Sequence, residues 1–259
     1  MGHIRLGVLP RTRKWELVVE LINGNGDAAR IAAAAMDAAS NGFKEAAEDE
    51  GLGRALWLLT QLPLAARDSD YLARLEAIGV SVDGVPGVIE LVGAFTDAVD
   101  AQMRQAGGRT DLGEMAQMAA AETLAKVLGE RSRGLFGTTP PDVQRELGAL
   151  ATTKQFGTLA REFFARLTRR YLTFFLSREL SNHVGGERRF AGIAEHAEFD
   201  AAIDLHCRQA SRIVEEFAGS WFSKTNWEQG LTPENVRGFA WVALKKLRAE
   251  LEKGGGTGS

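Results

Sequence analysis

The stretch REFFARLTRRYLTFFLSREL, residues 161–180, decides the fold class. Its large apolar side chains recur at steps of three and four residues, which is the spacing of one face of an α-helix and not of a strand. Neither proline nor glycine interrupts the stretch. We therefore predict a long helix over about residues 155–180, with its phenylalanines in a core formed by other helices.

Similar spacing recurs on both sides of this stretch. In the N-terminal half, Val88, Val92, Phe95, Val99 and Met103 follow one another at steps of four, three, four and four. In the C-terminal half, one helix is predicted over about 192–223 and a last one after Thr232-Pro233. No segment alternates apolar and polar residues over five positions, so no sheet is predicted. The expected fold is an all-α, multi-helix globular bundle of eight or nine helices.

Composition limits the class of protein. The chain has 259 residues, 45% of them hydrophobic, a formal net charge of −3 and one cysteine. These values exclude a wholly disordered chain and a disulfide scaffold, and the single Cys207 is typical of a reducing, cytoplasmic setting. The longest uncharged apolar stretch, ALWLLTQLPLAA at 55–66, is shorter than the ~20 residues that a bilayer requires. We therefore expect no membrane segment.

A glycine-containing segment suggests how the chain is divided. QAGGRTD at 105–111 is the best candidate for a hinge. On this interpretation, residues 1–107 form an acidic N-terminal helical subdomain and residues 108–253 a C-terminal one. The alternative is one compact domain. Residues 254–259, GGGTGS, are expected to be a flexible tail.

Motifs of catalysis are missing from the sequence. It contains no GxxxxGK[ST], HExxH, CxxC or GxSxG pattern and no EF-hand loop. Cys207 and its neighbour His206 point about 100° apart around a helix, so their adjacency does not make a nucleophile and base. We predict a structural thiol, and no cofactor.

The best metal-ligand pattern lies in EHAEFDAAIDLH, residues 195–206. His196, Asp200 and Asp204 are four residues apart and share one helical stripe, so an imidazole and two carboxylates could bind a divalent metal. A second helix would have to add ligands, for which His183 and Glu179 are the conceivable donors. The competing interpretation, which we favour, is a solvated face in which Asp204 pairs with Arg208.

Charge is unevenly distributed along the chain. Residues 27–100 carry five basic and 13 acidic side chains, whereas residues 151–190 carry eight basic and three acidic ones. Arg166, Arg169 and Arg170 interleave with aromatic residues, a pattern that can bind phosphates and stack bases. The alternative places the phenylalanines in the core and the arginines on the wet face, where they dock an acidic partner or the acidic region itself. We predict that these three arginines bind a partner, and that the two oppositely charged regions meet within one chain or between protomers.

Trp241 is the other predicted partner-binding residue. It lies opposite the apolar stripe of the last helix, beside Lys245 and Arg248. An exposed tryptophan rimmed by charge is typical of an interface anchor. The competing interpretation has Trp241 folded against the loop that contains Trp227.

Three classes of function follow from these patterns. The first is a non-catalytic helical adaptor or accessory subunit of a larger assembly, with a protein partner or a second copy of the chain. Arginine supplies 23 of the 31 basic residues, a bias that resembles high-GC bacterial coding. The second is a nucleic-acid-associated factor, for example in a bacterial defence or DNA-processing system, that uses the arginine-rich face at 161–189. The third is an enzyme with an unrecognised His/Asp site.

Overall fold

The computed structural model describes residues 10–40, 42, 46–131, 139–186 and 188–254. The described part contains eleven α-helices, one 3-10 turn at Ala46–Glu48 and an isolated β-bridge between Val184 and Phe190, but no strand. All-α is thus confirmed, whereas eight or nine helices was too few. The helices are α1 (Arg13–Asn23), α2 (Ala28–Ala38), α3 (Glu50–Ala65), α4 (Tyr71–Ala77), α5 (Val88–Gln105), α6 (Asp111–Arg131), α7 (Pro140–Ala149), α8 (Thr153–Ser181), α9 (Ile193–Ala210), α10 (Arg212–Glu228) and α11 (Pro233–Gly254).

The helix predicted over 192–223 is two helices that meet at Ser211. The Ser211 side chain is buried, and its hydroxyl donates a hydrogen bond to the carbonyl of Cys207, with a distance of 2.8 Å. A serine that bonds four residues back in this way bends a helix. The apolar spacing continues through the bend, so the periodicity alone does not reveal the break.

Helix α8, which contains the stretch 161–180, lies at the centre of the packing against α6, α9 and α10. Its side chains Phe156, Phe163 and Phe164 are fully buried, and Phe156 stacks on Phe222 of α10 at 4.1 Å between ring centroids. The approach of α10 is close enough that a Cβ at Gly219 would overlap the carbonyl oxygen of Thr153. The pairing of α8 with α10 therefore needs glycine at 219.

The helices on either side of the predicted hinge contact one another. Helix α11 packs on α2 and α3, and buried residues from both sides belong to one hydrophobic core. The indole of Trp57 and the amide of Gln61, both on α3, donate hydrogen bonds to the carbonyl of Leu231, at 2.9 and 3.1 Å. Gly107 and Gly108 have φ of 106° and 136°, which L side chains rarely adopt. The division into two subdomains at 107 stays a prediction.

Two further expectations concern the ends of the chain and membranes. The predicted tail at 254–259 falls, apart from Gly254, outside the described residues, as do residues 1–9. In the part of the chain that is described, none of the helices has the length and apolarity needed to cross a membrane.

Candidate partner-binding surface

Glu162 of α8 lies at the centre of a cluster of cations. Arg166, one turn further along α8, donates a hydrogen bond to the Glu162 carboxylate at 2.7 Å, and Lys126 of α6 donates to the same oxygen at 3.0 Å. Arg208 of α9 approaches that oxygen to 3.8 Å. Burial by itself would raise the pKa of Glu162, but the hydrogen bonds from Arg166 and Lys126 outweigh it and hold the pKa below its usual range. We call these four residues the Glu162 cluster.

Arg166 therefore does not lie on a wet face, as the sequence led us to expect. Its side chain is only 11% exposed and also approaches the hydroxyl of Thr123 on α6, at 3.5 Å. The neighbouring arginines are more open: Arg169 is 49% exposed and lies 3.5 Å from Asp204, and Arg170 pairs with Glu122. Arg166 thus lies between helices, whereas Arg169, only three residues further along α8, is half in solvent. The partner-binding role of the three arginines stays a prediction.

The arginines of α8 pair with carboxylates from nearby helices. Among the described residues, these carboxylates lie on α6, α8, α9 and α10, including Glu215, which Arg161 contacts at 2.9 Å. None of these acids belongs to the acidic region 27–100. The two charged regions do touch, since α2 packs on α8 and the Tyr171 hydroxyl donates a hydrogen bond to the carbonyl of Ala39 at 2.8 Å. Docking of the arginines on the acidic region, within one chain or between protomers, stays a prediction.

The His196, Asp200 and Asp204 stripe does not converge on one point. His196 and Asp200 are 3.6 Å apart, but Asp204 is bonded to Arg208 at 2.8 Å and faces Arg169. The conceivable donors from the second helix, which are His183 and Glu179, bond to each other at 3.1 Å. Within the described residues there is no group of three His, Cys, Asp or Glu side chains that could hold a metal ion. The predicted pairing of Asp204 with Arg208 is confirmed.

Cys207 is fully buried within the core. Burial raises the pKa of its thiol to about 12. Because the thiolate is the reactive form, a thiol with this pKa is inert near neutral pH. Burial also lowers the pKa of the neighbouring His206, which favours a neutral imidazole. The pair has the environment of a structural core, in agreement with the interpretation from the sequence.

Trp241 is half exposed on α11, whereas Phe239 of the same helix is buried. Phe239 stacks on Trp221 of α10 at 4.1 Å between ring centroids. The ammonium of Lys245 lies 4.9 Å from the Trp241 ring centroid, a cation–π contact. In the part of the chain that is described, Lys245 has no carboxylate within 4.0 Å. Trp241 is thus an exposed aromatic side chain with an unpaired cation on its face.

Several exposed apolar residues, among them Ile193, were not assigned to the surface from the sequence. Trp227 is 90% exposed at the end of α10, and Ile89 is 88% exposed at the start of α5. For Trp227 a signal existed: it comes five residues after the buried Phe222, about 140° further around the helix. For Ile89 the adjacent Val88, which packs against the core, obscured the pattern.

No family model, no curated protein and no solved structure matches this chain. What the chain does is therefore inferred from its own residues.

Proposed function

We propose that this chain is a non-catalytic helical adaptor or accessory subunit that binds a protein partner through the exposed face of α11 at Trp241. The observation that carries the proposal is the half-exposed Trp241 with the ammonium of Lys245 on its ring. Tryptophan is the residue most enriched among the side chains that dominate binding energy at interfaces. Burial of the ring by a partner would also strengthen the cation–π contact by removing water.

The ion pairs of the α8 arginines favour an adaptor over a nucleic-acid-binding factor. Binding of phosphates by Arg166, Arg169 or Arg170 would have to compete with the carboxylates that already pair with them. The net charge of −3 adds no long-range attraction for a polyanion. In this proposal the arginines of α8 mainly hold α6, α8 and α9 together. Nucleic-acid binding through 161–189 remains the alternative, and an enzyme with a His/Asp site the second one.

Site-specific photo-cross-linking tests the proposal. A photoreactive phenylalanine derivative replaces Trp241 in the full chain, expressed in its own host, and irradiation should give a covalent adduct with a protein. The same substitution at Trp227 is the matched control, because it is an even more exposed tryptophan on the adjacent helix and carries no lysine. Absence of any protein adduct at position 241, or identical adducts at both positions, would contradict the proposal. Retention of DNA or RNA by the wild type at physiological salt would favour the alternative.

A further inference from the structure

The exposed face of α11 has a simple pattern of side-chain size and charge. Gly238, Trp241 and Lys245 follow at steps of three and four residues, all three are exposed, and they form what we call the tryptophan stripe. Apart from the adjacent residues and the nearby backbone of α11 itself, no atom lies within 4 Å of the position that a Cβ would take at Gly238. Along α11 the stripe presents in turn a gap, a large aromatic ring and a cation.

The exposed face of α5 has the opposite pattern. Ile89, Gly93 and Asp97 follow at steps of four residues and form what we call the isoleucine stripe. Ile89 is almost fully exposed, and the Cβ position at Gly93 also has no atom within 4 Å. Asp97 is exposed and lies in no ion pair among the described residues. Along α5 the stripe presents a large aliphatic side chain, a gap and an anion.

Gly93 and Gly238 destabilise the helices in which they lie. Glycine in an exposed helix interior destabilises the helix by roughly 1 kcal/mol relative to alanine. Within the chain nothing occupies the space that Gly93 or Gly238 leaves open, in contrast to Gly219, where close packing requires it. The space beside each glycine is thus available to a large side chain from another molecule.

We propose that the partner of the tryptophan stripe is a second copy of this chain, which docks its isoleucine stripe against it. With α5 of one copy parallel to α11 of the next, Ile89 faces the gap at Gly238, Trp241 faces the gap at Gly93, and Asp97 faces Lys245. The ends of the isoleucine stripe are eight residues apart and those of the tryptophan stripe seven, or about 12 and 10.5 Å at the rise of an α-helix, so all three pairs come into register together. This inference rests on the proposed function, since it names the partner of the same surface.

The predicted contact is head-to-tail. It joins two different faces of the chain, so each copy retains one free stripe and assembly continues into a closed ring or an open filament. The apolar pairs contribute most of the attraction, and the Asp97–Lys245 pair sets the direction and adds a salt-sensitive part.

Sedimentation velocity of the full chain, from micromolar to submillimolar concentration, tests the docking. The wild type should form concentration-dependent oligomers that weaken at high salt. Lys245→Glu and Asp97→Lys should each lower the association constant by at least about tenfold, because each brings like charges together. A mixture of the two variants should recover assembly, since the exchanged charges then oppose one another again. Lys154→Glu, at an exposed lysine of α8 outside both stripes, is the matched control and should assemble like the wild type.

Gly93→Leu separates docking from folding. The leucine fills the gap that Trp241 would occupy, so assembly should be lost while thermal stability stays equal or rises through higher helix propensity. A wild type that stays monomeric at every concentration, or variants that assemble normally, would overturn the docking. A monomeric wild type that still gives an adduct with another protein at position 241 would refute only the claim that the partner is a second copy of this chain. Absence of any adduct would refute the proposed function itself.

Discussion

Glu162→Gln should destabilise the protein, because it removes the carboxylate on which the Glu162 cluster depends. In the wild type, Arg166 and Lys126 donate to that carboxylate at 2.7 and 3.0 Å, and Arg208 stands 3.8 Å away. Glutamine has nearly the same shape and its amide oxygen still accepts a hydrogen bond, so the packing is preserved. What changes is the charge: Arg166 and Lys126 lose the anion that they share, while Arg208 keeps Asp204 at 2.8 Å.

The expected loss is about 2 kcal/mol in the free energy of unfolding. Hydrogen bonds to charged groups contribute roughly 1.5–3 kcal/mol each. The loss of the two bonds is smaller than their sum, because solvent screens the cluster and the amide of glutamine retains part of one bond. For a chain of this size, about 2 kcal/mol corresponds to a fall in Tm of about 5 °C.

The pH dependence has a definite sign. Because the pKa of Glu162 is lowered in the folded protein, its stabilising contribution is present at neutral pH and is lost in acid, as the pH falls below the ordinary pKa of a glutamate and through the lowered one. Glutamine does not titrate. The difference in stability between wild type and Glu162→Gln should therefore be full at pH 7 and shrink in acid.

Urea unfolding followed by circular dichroism at several pH values measures this difference. Glu228→Gln is the control, since Glu228 forms an exposed i,i+4 pair with Lys224 at 4.0 Å and its loss should change stability by less than about 0.5 kcal/mol. If Glu162→Gln and Glu228→Gln cost the same, or if the difference from wild type grows in acid, the reasoning about the cluster is wrong.

Three other outcomes are expected. Arg166→Glu should lower the free energy of unfolding by about 3 kcal/mol, because it places a second carboxylate beside Glu162 in a nearly buried position. Arg169→Glu, at a half-exposed position, should lower it by less than about 1 kcal/mol, and thermal unfolding of both variants measures the difference. Gly219→Ala should destabilise the chain by about 2 kcal/mol by forcing α8 and α10 apart, while Gly53→Ala, where a Cβ meets no atom within 4 Å, should be neutral or stabilising in the same assay. Cys207 should react with a thiol reagent only after denaturant is added, and rapid labelling of the folded chain would contradict its burial.

The sequence by itself determined the helical character of the chain. Apolar spacing and helix caps are local properties, and they predicted the start of α11, where Thr232 caps the helix ahead of Pro233, as well as the long α8. Local rules failed where the same residue type can either continue or interrupt a helix. Pro63 lies inside α3 although proline ordinarily ends a helix, and Ser211 divides a continuous apolar stripe into α9 and α10.

The tertiary structure alone decided which of these side chains face another helix and which face water. Both Arg166 and Arg169 are basic residues interleaved with aromatic ones in the sequence, yet Arg166 lies against Thr123 of α6 and is nearly buried, while Arg169 is half exposed. Gly219 and Gly93 are both helical glycines, but only Gly219 has another helix within contact. The periodicity of a helix specifies one apolar face, and the remaining surface is assigned only by the positions of helices distant in the sequence.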